Sequence, residues 1–591
     1  MASSKTGKAL DFKLLKRLYQ FVKPYKALGI AAIILTLILA AISPVRPYLV
    51  QQTIDSTIVT GDYPGLIKMV CLMIGILLIE AMFQFFGTYS SNLLGQLVIR
   101  DIRSELFKKL NTFKLKYYDN TPVGTLVTRV INDIETIASI FSEGFLQIMA
   151  DFLKIFSVVA VMLMQDWKLT LITLIPVPIL IFATNVFKNG IKKSFTEVRN
   201  KVAELNAFVQ EHIVGINIIQ IFNKEDQEMK KFQDINHQHR AAHIKSIWYF
   251  SIFFPVVEVI TAISIGLVVW YGAGDMLDKI AANQDASPGT IISFVLYIYI
   301  LYRPMRQIAD RFNTLQMGVV SAERVFAIFD QEHTLKNEGT KDAQGIKGKI
   351  DFNNVFFAYN DEDYVLKGIS FHAQPGEKIA LIGATGSGKT SIINLISRFY
   401  EYNSGEIKID DTAIEDYELE SLRKSVSVVL QDVFLFSDSI LNNITLFDPN
   451  ISEEEVIEAS KLIGTHEFIM KLPGAYHFNV KERGGLLSAG QKQLISFLRA
   501  YVHKPKILIL DEATSSVDTE SEIMIQKATE IITEGRTSII IAHRLSTIRH
   551  SNRILVLNNG EIIEEGTHDN LMALGGQYKK LIELQFDTAV Q

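Results

Sequence analysis

The chain has 591 residues, 48% hydrophobic and only 21% charged, with 59 Lys and Arg against 64 Asp and Glu for a formal net charge of −5. This composition excludes a disordered chain, a collagen-like fibre and a strongly basic nucleic-acid binder. One cysteine, Cys71, excludes a disulfide scaffold and a thiolate zinc cluster.

Residues 1–26 carry seven Lys or Arg and one acid. Phe12, Leu15, Tyr19 and Val22 share one helical stripe opposite Lys13, Lys16 and Arg17, which predicts an elbow helix lying on the inner leaflet. A secretory signal is a poor fit, because the first apolar run starts after residue 26 and is too long. Six stretches between 27 and 302 approach the ~20 apolar residues that a hydrocarbon core about 30 Å thick demands. Segments 27–45, 169–187 and 286–302 hold no formal charge; 69–99 holds Glu80, 144–165 holds Asp151 and Lys154, and 246–274 holds Glu258. The connections at 100–143 and 188–245 carry seven and ten Lys or Arg, whereas those at 46–68, 166–168 and 275–285 carry two, one and one. Basic segments stay on the cytoplasmic side, so both termini are expected there.

The two basic connections are helical in pattern and should extend the spans into the cytoplasm. In the first, Thr121 is expected to cap a helix opening at Pro122. In the second, Gly215 interrupts the pattern before Ile216–Phe222. Each would leave a short helix at the tip of an inner loop. Pro44, Pro47, Pro176, Pro178 and Pro255 are expected to kink spans. The acids at membrane depth, Glu80, Asp151 and Glu258, are candidates for lining a cavity that attracts cationic amphiphiles; a pairing of Asp151 with Lys154 at i, i+3 is the structural alternative.

A polar Gly, Lys and Glu-rich linker occupies 331–346. Beyond it, short apolar strands alternate with helical stretches: Ile350–Phe357, Lys378–Ile382, Val426–Leu430, Ile507–Leu510 and Thr537–Ile541. That alternation predicts an α/β nucleotide-binding domain. Gly383-Ala384-Thr385-Gly386-Ser387-Gly388-Lys389-Thr390 fits the phosphate-loop pattern between a strand and a helix that continues through Ser391. Its glycines let backbone N–H groups approach phosphate oxygens, Lys389 reaches the β- and γ-phosphates, and Thr390 ligates Mg²⁺. Ile507–Leu510 ends in Asp511-Glu512, the first suited to Mg²⁺, the second to orienting an attacking water. Ser488-Ala489-Gly490-Gln491 precedes another helical stretch and offers a second anion-holding helix start. One nucleotide has one γ-phosphate, so two such starts in one chain point to a sandwich between two chains.

With these motifs in place, the last 240 or so residues resemble an ATP-binding cassette (ABC), and the region before them is similar to the six-span domain of ABC exporters. The resemblance implies that Tyr359 stacks on adenine, that Gln431 links Mg²⁺ and γ-phosphate to the membrane domain, and that Ser515–Asp518 crosses to the opposite site. It also implies that His543 contacts the γ-phosphate and that Lys481–Gly484 touches the opposite coupling helix. Asp119–Gly124 and Gly215–Phe222 resemble the regions around the two coupling helices. Ala489 stands where family members most often have Gly. With Glu512 and His543 both present, the chain resembles the catalytic half of heterodimeric, MdlB-like multidrug and lipid exporters.

The expectation is a six-helix, all-α transmembrane domain followed by an α/β P-loop NTPase. It divides into an elbow helix (1–26), a membrane domain (27–330), the linker (331–346) and an ATPase domain (347–591). Such a half-transporter would use ATP and Mg²⁺ to move hydrophobic or amphipathic compounds, drugs or lipids, out of the inner leaflet of a bacterial cytoplasmic membrane. Its partner would be a second half-transporter, a heterodimer being favoured over a homodimer. A lipid A or phospholipid flippase is the nearest alternative; an ATP-gated channel or regulatory subunit is a more distant one.

Overall fold

Long apolar helices fill the amino-terminal half, and short strands begin only at Ile350. The computed structural model describes residues 12–282, 287–332, 337–360, 363–511, 519–542 and 544–586. The chain divides into two compact units, one made of 1–111 and 123–331, the other of 112–122 and 332–591.

In the first unit, an amphipathic helix, Phe12–Val22, leaves Tyr19 61% exposed and buries Leu18. Arg17 of this helix makes a bidentate ion pair with Asp330, at 2.7 and 2.8 Å, and lies 4.3 Å over the Phe326 ring. Helices Tyr63–Leu110, Val177–Val214, Glu225–Ala281 and Pro288–Phe329 run for 48, 38, 57 and 42 residues. At 1.5 Å per residue these are about 57–86 Å long, far beyond a hydrocarbon core. Counted through their kinks, Lys13–Ile58, Tyr63–Leu110, Val123–Gln165, Trp167–Val214 and Glu225–Ala281 are long and apolar enough to cross a membrane. The sixth expected segment opens helix Pro288–Phe329, residue 286 lying outside the described residues. Its stretch from Pro288 to Tyr302 reaches only about 22 Å before Arg303. Phe294, Tyr297, Ile298, Leu301 and Tyr302 on it are fully buried, so this segment packs among its neighbours. Its polar atoms are partnered: Gln165 donates to the Tyr297 hydroxyl at 3.0 Å, and the Tyr302 hydroxyl lies 2.5 Å from Ser264 Oγ.

Prolines act unequally. Pro44 separates Lys26–Ile42 from Val45–Thr53, and Pro176 separates Trp167–Leu174 from Val177–Val214. Pro47 and Pro178 fall in the first turns that follow, where no intrahelical donor is needed. Pro255 sits inside a continuous helix. Gly215 ends one helix and Ile216–Ile221 follows as a short one. Thr121 does not cap the helix after it. It is extended (φ −123°, ψ 116°) at the end of helix Leu115–Asn120, as a residue before proline must be, and the next helix begins at Val123.

Among the described residues the second unit has ten strands: β1 (Ile350–Ala358), β2 (Tyr364–Ala373), β3 (Lys378–Ile382), β4 (Ser404–Ile409), β5 (Thr412–Ala413), β6 (Val426–Val429), β7 (Ile507–Asp511), β8 (Thr537–Ile541), β9 (Arg553–Asn558) and β10 (Glu561–Gly566). They form an antiparallel sheet in the order β2-β1-β4-β5 and a six-stranded sheet in the order β10-β9-β3-β8-β7-β6. Strands β6, β7, β8, β3 and β9 are parallel and β10 is antiparallel. The near-continuous apolar runs of β3, β7 and β8 follow from burial on both faces. In the antiparallel sheet, Phe352 and Phe371 pair in register and stack at 4.6 Å. Helix Ala489–Val502 packs Leu494, Ile495, Phe497 and Leu498 into a separate apolar cluster that also takes in Val429 and Leu508.

Candidate functional site

The central strand β3 ends at Ile382, and the chain turns through Gly383–Gly388 into helix Lys389–Ile396. Any Cβ at Gly383 would overlap the Leu557 carbonyl oxygen and lie 2.6 Å from Ser387 Oγ. Gly388 has φ +104°, a conformation that L side chains avoid. Backbone N–H groups at this turn and helix start form a cradle for anionic oxygens. The Lys389 ammonium lies across the loop, donating to the Gly383 and Ala384 carbonyls at 2.7 and 2.9 Å. Burial pushes its pKa below the ordinary lysine value, opposed by the facing Asp511 carboxylate at the end of β7. Phosphate loop and strand-end acid are thus brought together. Thr390 is exposed on the first helical turn, and Gln431 is exposed just past the edge strand β6, whose Val429 pairs with Leu510. Thr390, Gln431 and Asp511 are all oxygen donors, the chemistry Mg²⁺ requires.

Tyr359 follows β1. Its hydroxyl accepts from Asn394 Nδ2 at 3.0 Å and lies 3.1 Å from Ser391 Oγ. Its ring meets Phe357 and Tyr400 edge-on, at 4.7 and 4.9 Å. Ser391 is buried, with its hydroxyl against this tyrosine. Ser488 caps helix Ala489–Val502: its Oγ accepts from the Gln491 N–H at 3.2 Å, and Gln491 Oε1 accepts from the Ser488 N–H at 3.1 Å. Ala489 is exposed and Gly490 buried. Among the described residues, no hydrogen bond joins Ser488–Gln491 to Gly383–Ser391. Glu512, Ser515–Asp518 and His543 lie outside the described residues.

A second set of contacts was marked in the sequence on one side only, at Asp119. Segment 112–122 packs as part of the ATPase unit. There the Tyr400 hydroxyl donates to Asp119, and Lys114 Nζ lies 2.8 Å from Glu401 Oε2. Burial, reinforced by the Asp119 carboxylate, raises the Tyr400 pKa. The receiving turn, Arg398–Tyr402, lies far along the chain and matches no motif; only its crowding of aromatics was visible.

The three candidate cavity acids do not form one group. Glu80 and Asp151 line a cavity of about 190 Å³ together with Lys154. Asp151 is ion-paired with Arg311 on another helix, Nε to Oδ2 at 2.9 Å, rather than with Lys154. Glu258 is not part of that cavity; its side chain is 69% exposed, 3.6 Å from Arg306.

Residues 29–305 match the family model "ABC transporter transmembrane region", and residues 366–515 match "ABC transporter". The "Uncharacterized ABC transporter ATP-binding protein YknV" of Bacillus subtilis is 37% identical over 99% of this chain and 96% of its own length. The "Putative multidrug export ATP-binding/permease protein YgaD" of the same organism is 37% identical over 97% of this chain and 99% of its own length. The "ATP-dependent lipid A-core flippase" of Syntrophus aciditrophicus is 34% identical over 97% and 94%. An apolar helical region and a nucleotide-binding ATPase domain fused in this order make the chain a member of the ABC transporter family, a half-transporter that couples ATP hydrolysis to transport across a membrane.

Proposed function

We propose that the chain exports hydrophobic or amphipathic compounds from the inner leaflet of a bacterial cytoplasmic membrane, as one half of a dimer. The elbow helix (1–26), membrane domain (27–330), linker (331–346) and ATPase domain (347–591) are its working parts, with both termini in the cytoplasm. The carrying observation is that Ser488–Gln491, a capped helix start fit for an anion, makes no hydrogen bond to the phosphate loop of its own chain among the described residues. In a dimer each would complete the partner's site. Gly383–Ser391 then hold the phosphates, Tyr359 stacks on the base, Glu512 orients the attacking water, His543 contacts the γ-phosphate and Asp518 reaches the second site. Thr390, Gln431 and Asp511 hold Mg²⁺, which neutralises charge on the phosphate oxygens.

The short helix Ile216–Ile221 exposes Ile218 (65%) and Ile221 (74%), too apolar to face water unpartnered. In the dimer it docks on the partner's ATPase domain, so nucleotide-driven closure moves the membrane helices. The relatives named for multidrug export and for lipid A-core flipping support either a drug or a lipid as cargo; the polar cavity at Glu80 favours a cargo with a charged head. The test is ATP-dependent movement of a fluorescent amphiphile in proteoliposomes holding the full-length chain, alone and with a co-purified second half-transporter. Movement that needs ATP and stops in Glu512→Gln supports export; ATP hydrolysis with no movement of any probe by either assembly refutes it.

A further inference from the structure

Two opposite charges in the membrane unit face each other without touching, and among the described residues neither forms an ion pair. Glu80, on helix Tyr63–Leu110, and Lys154, on helix Phe145–Gln165, both line the cavity of about 190 Å³, and neither makes a hydrogen bond or ion pair among the described residues. Asp151, on the same wall, is engaged by Arg311. The charges that face Lys154 are Glu80, Asp151, Arg303 and Arg46. Arg46 and Arg303 are exposed and do not line the cavity. An unpaired charge at this depth is costly and persists where function needs it. The cavity thus offers one carboxylate and one ammonium separated by more than an ion-pair distance, with Gln84 and Gln147 amides on its walls and Leu39 and Leu146 beside them. Its volume equals about six waters at ~30 Å³ each.

Resting on the export reading above, we infer that this cavity selects a zwitterionic head group, with its anionic phosphate on Lys154 and its ammonium on Glu80. A purely anionic ligand would satisfy Lys154 and confront Glu80; a purely cationic one would do the reverse. Leu39 and Leu146 take the apolar root of the chain, so the ligand is the head of a phospholipid rather than a free zwitterion.

The experiment uses three short-chain fluorescent amphiphiles with identical tails, bearing phosphatidylethanolamine, phosphatidylglycerol or trimethylammonium heads. Their binding to the full-length protein in detergent is measured by native mass spectrometry, and their ATP-driven movement in proteoliposomes. The wild-type protein should prefer the phosphatidylethanolamine probe by about fivefold, the effect of one modest charge contact. Glu80→Gln should shift the preference to phosphatidylglycerol, Lys154→Gln to the cationic probe, and the exchange Glu80→Lys with Lys154→Glu should restore the zwitterion. Free phosphoethanolamine in excess should not displace the lipid probe; displacement would assign the site to a soluble zwitterion and overturn the lipid assignment. Equal binding of the three probes by the wild type, or an unchanged ranking in both single variants, overturns the inference. Movement without head-group ranking sinks the site and leaves export standing; ranked binding without ATP-driven movement sinks export and leaves the site standing.

Discussion

The two units of this protein hold their charges in opposite ways. In the ATPase unit the candidate groups are neighbours in sequence or at the ends of parallel strands in one sheet: Lys389 is held by Gly383 and Ala384, and Ser488 by Gln491. In the membrane unit the buried acids find partners far along the chain: Asp151 meets Arg311, and Asp133 meets Ser321 and Arg324 besides its local pair with Arg129. The more exposed Arg17 likewise reaches Asp330. The first arrangement builds a site that any chain with the motif can make. The second ties distant helices together, adding registry to apolar contacts that give little of it in lipid.

Substitutions in each unit sharpen or break that contrast. The largest effect is expected from Glu512→Gln, which should slow ATP turnover by about 10²–10⁴, the usual contribution of a positioned base; a phosphate-release assay showing wild-type rates would remove Glu512 from the role. In the membrane unit, Arg311→Ala leaves the Asp151 carboxylate, 7% exposed, without its partner. Breaking a buried pair costs about 3–5 kcal/mol, so the melting temperature in detergent should fall steeply, and adding Asp151→Asn should recover most of the loss. Additive losses in the double variant would show that the pair is not coupled. Ser488→Ala removes a local cap worth about 1 kcal/mol and should lower the melting temperature only slightly while depressing ATPase activity; unchanged activity would argue against its place at a partner's nucleotide.

The smallest effect is expected at the tip of the second inner loop. His212 has both ring nitrogens against acceptors, Phe208 O and Glu228 Oε2, each at 2.8 Å, and the Glu228 hydrogen bond raises its pKa above the ordinary 6.5. A raised pKa means the clasp is fully present below the unfolded-state value and is lost as pH climbs through the folded-state value. Hydrogen exchange at Val214–Phe222 should therefore be more protected at pH 6 than at pH 8, after correction for the intrinsic rate. Glu228→Gln should erase the difference, and persistence of it would assign the pH dependence to another group.

How much was legible follows the same division. The phosphate loop, the Asp511 strand and the Ser488 helix start are contiguous signals, and strands β3 and β8 have the bounds expected from the sequence, Lys378–Ile382 and Thr537–Ile541. Hydropathy located the membrane helices, since length and apolarity are properties of the sequence itself. It could not assign partners: Asp151 and Lys154 are a natural pair on one helix, yet packing brings Arg311 to Asp151 instead. Nor could it show that Glu258 lies away from the cavity, or that Tyr400 receives Asp119, because both depend on how distant elements meet. Thr121 illustrates a boundary miss: it is extended, as both an N-cap and a residue before proline would be, but the helix starts at Val123, one residue later than the reading from Pro122 assumed.

The Tyr400 side chain touches Tyr359 with its ring and Asp119 with its hydroxyl. On the function proposed above, the nucleotide's stacking partner and the hold on segment 112–122 therefore meet at a single phenol. Phenylalanine there would keep the ring contact and give up the hydrogen bond to Asp119, leaving the Lys114–Glu401 ion pair to hold the segment.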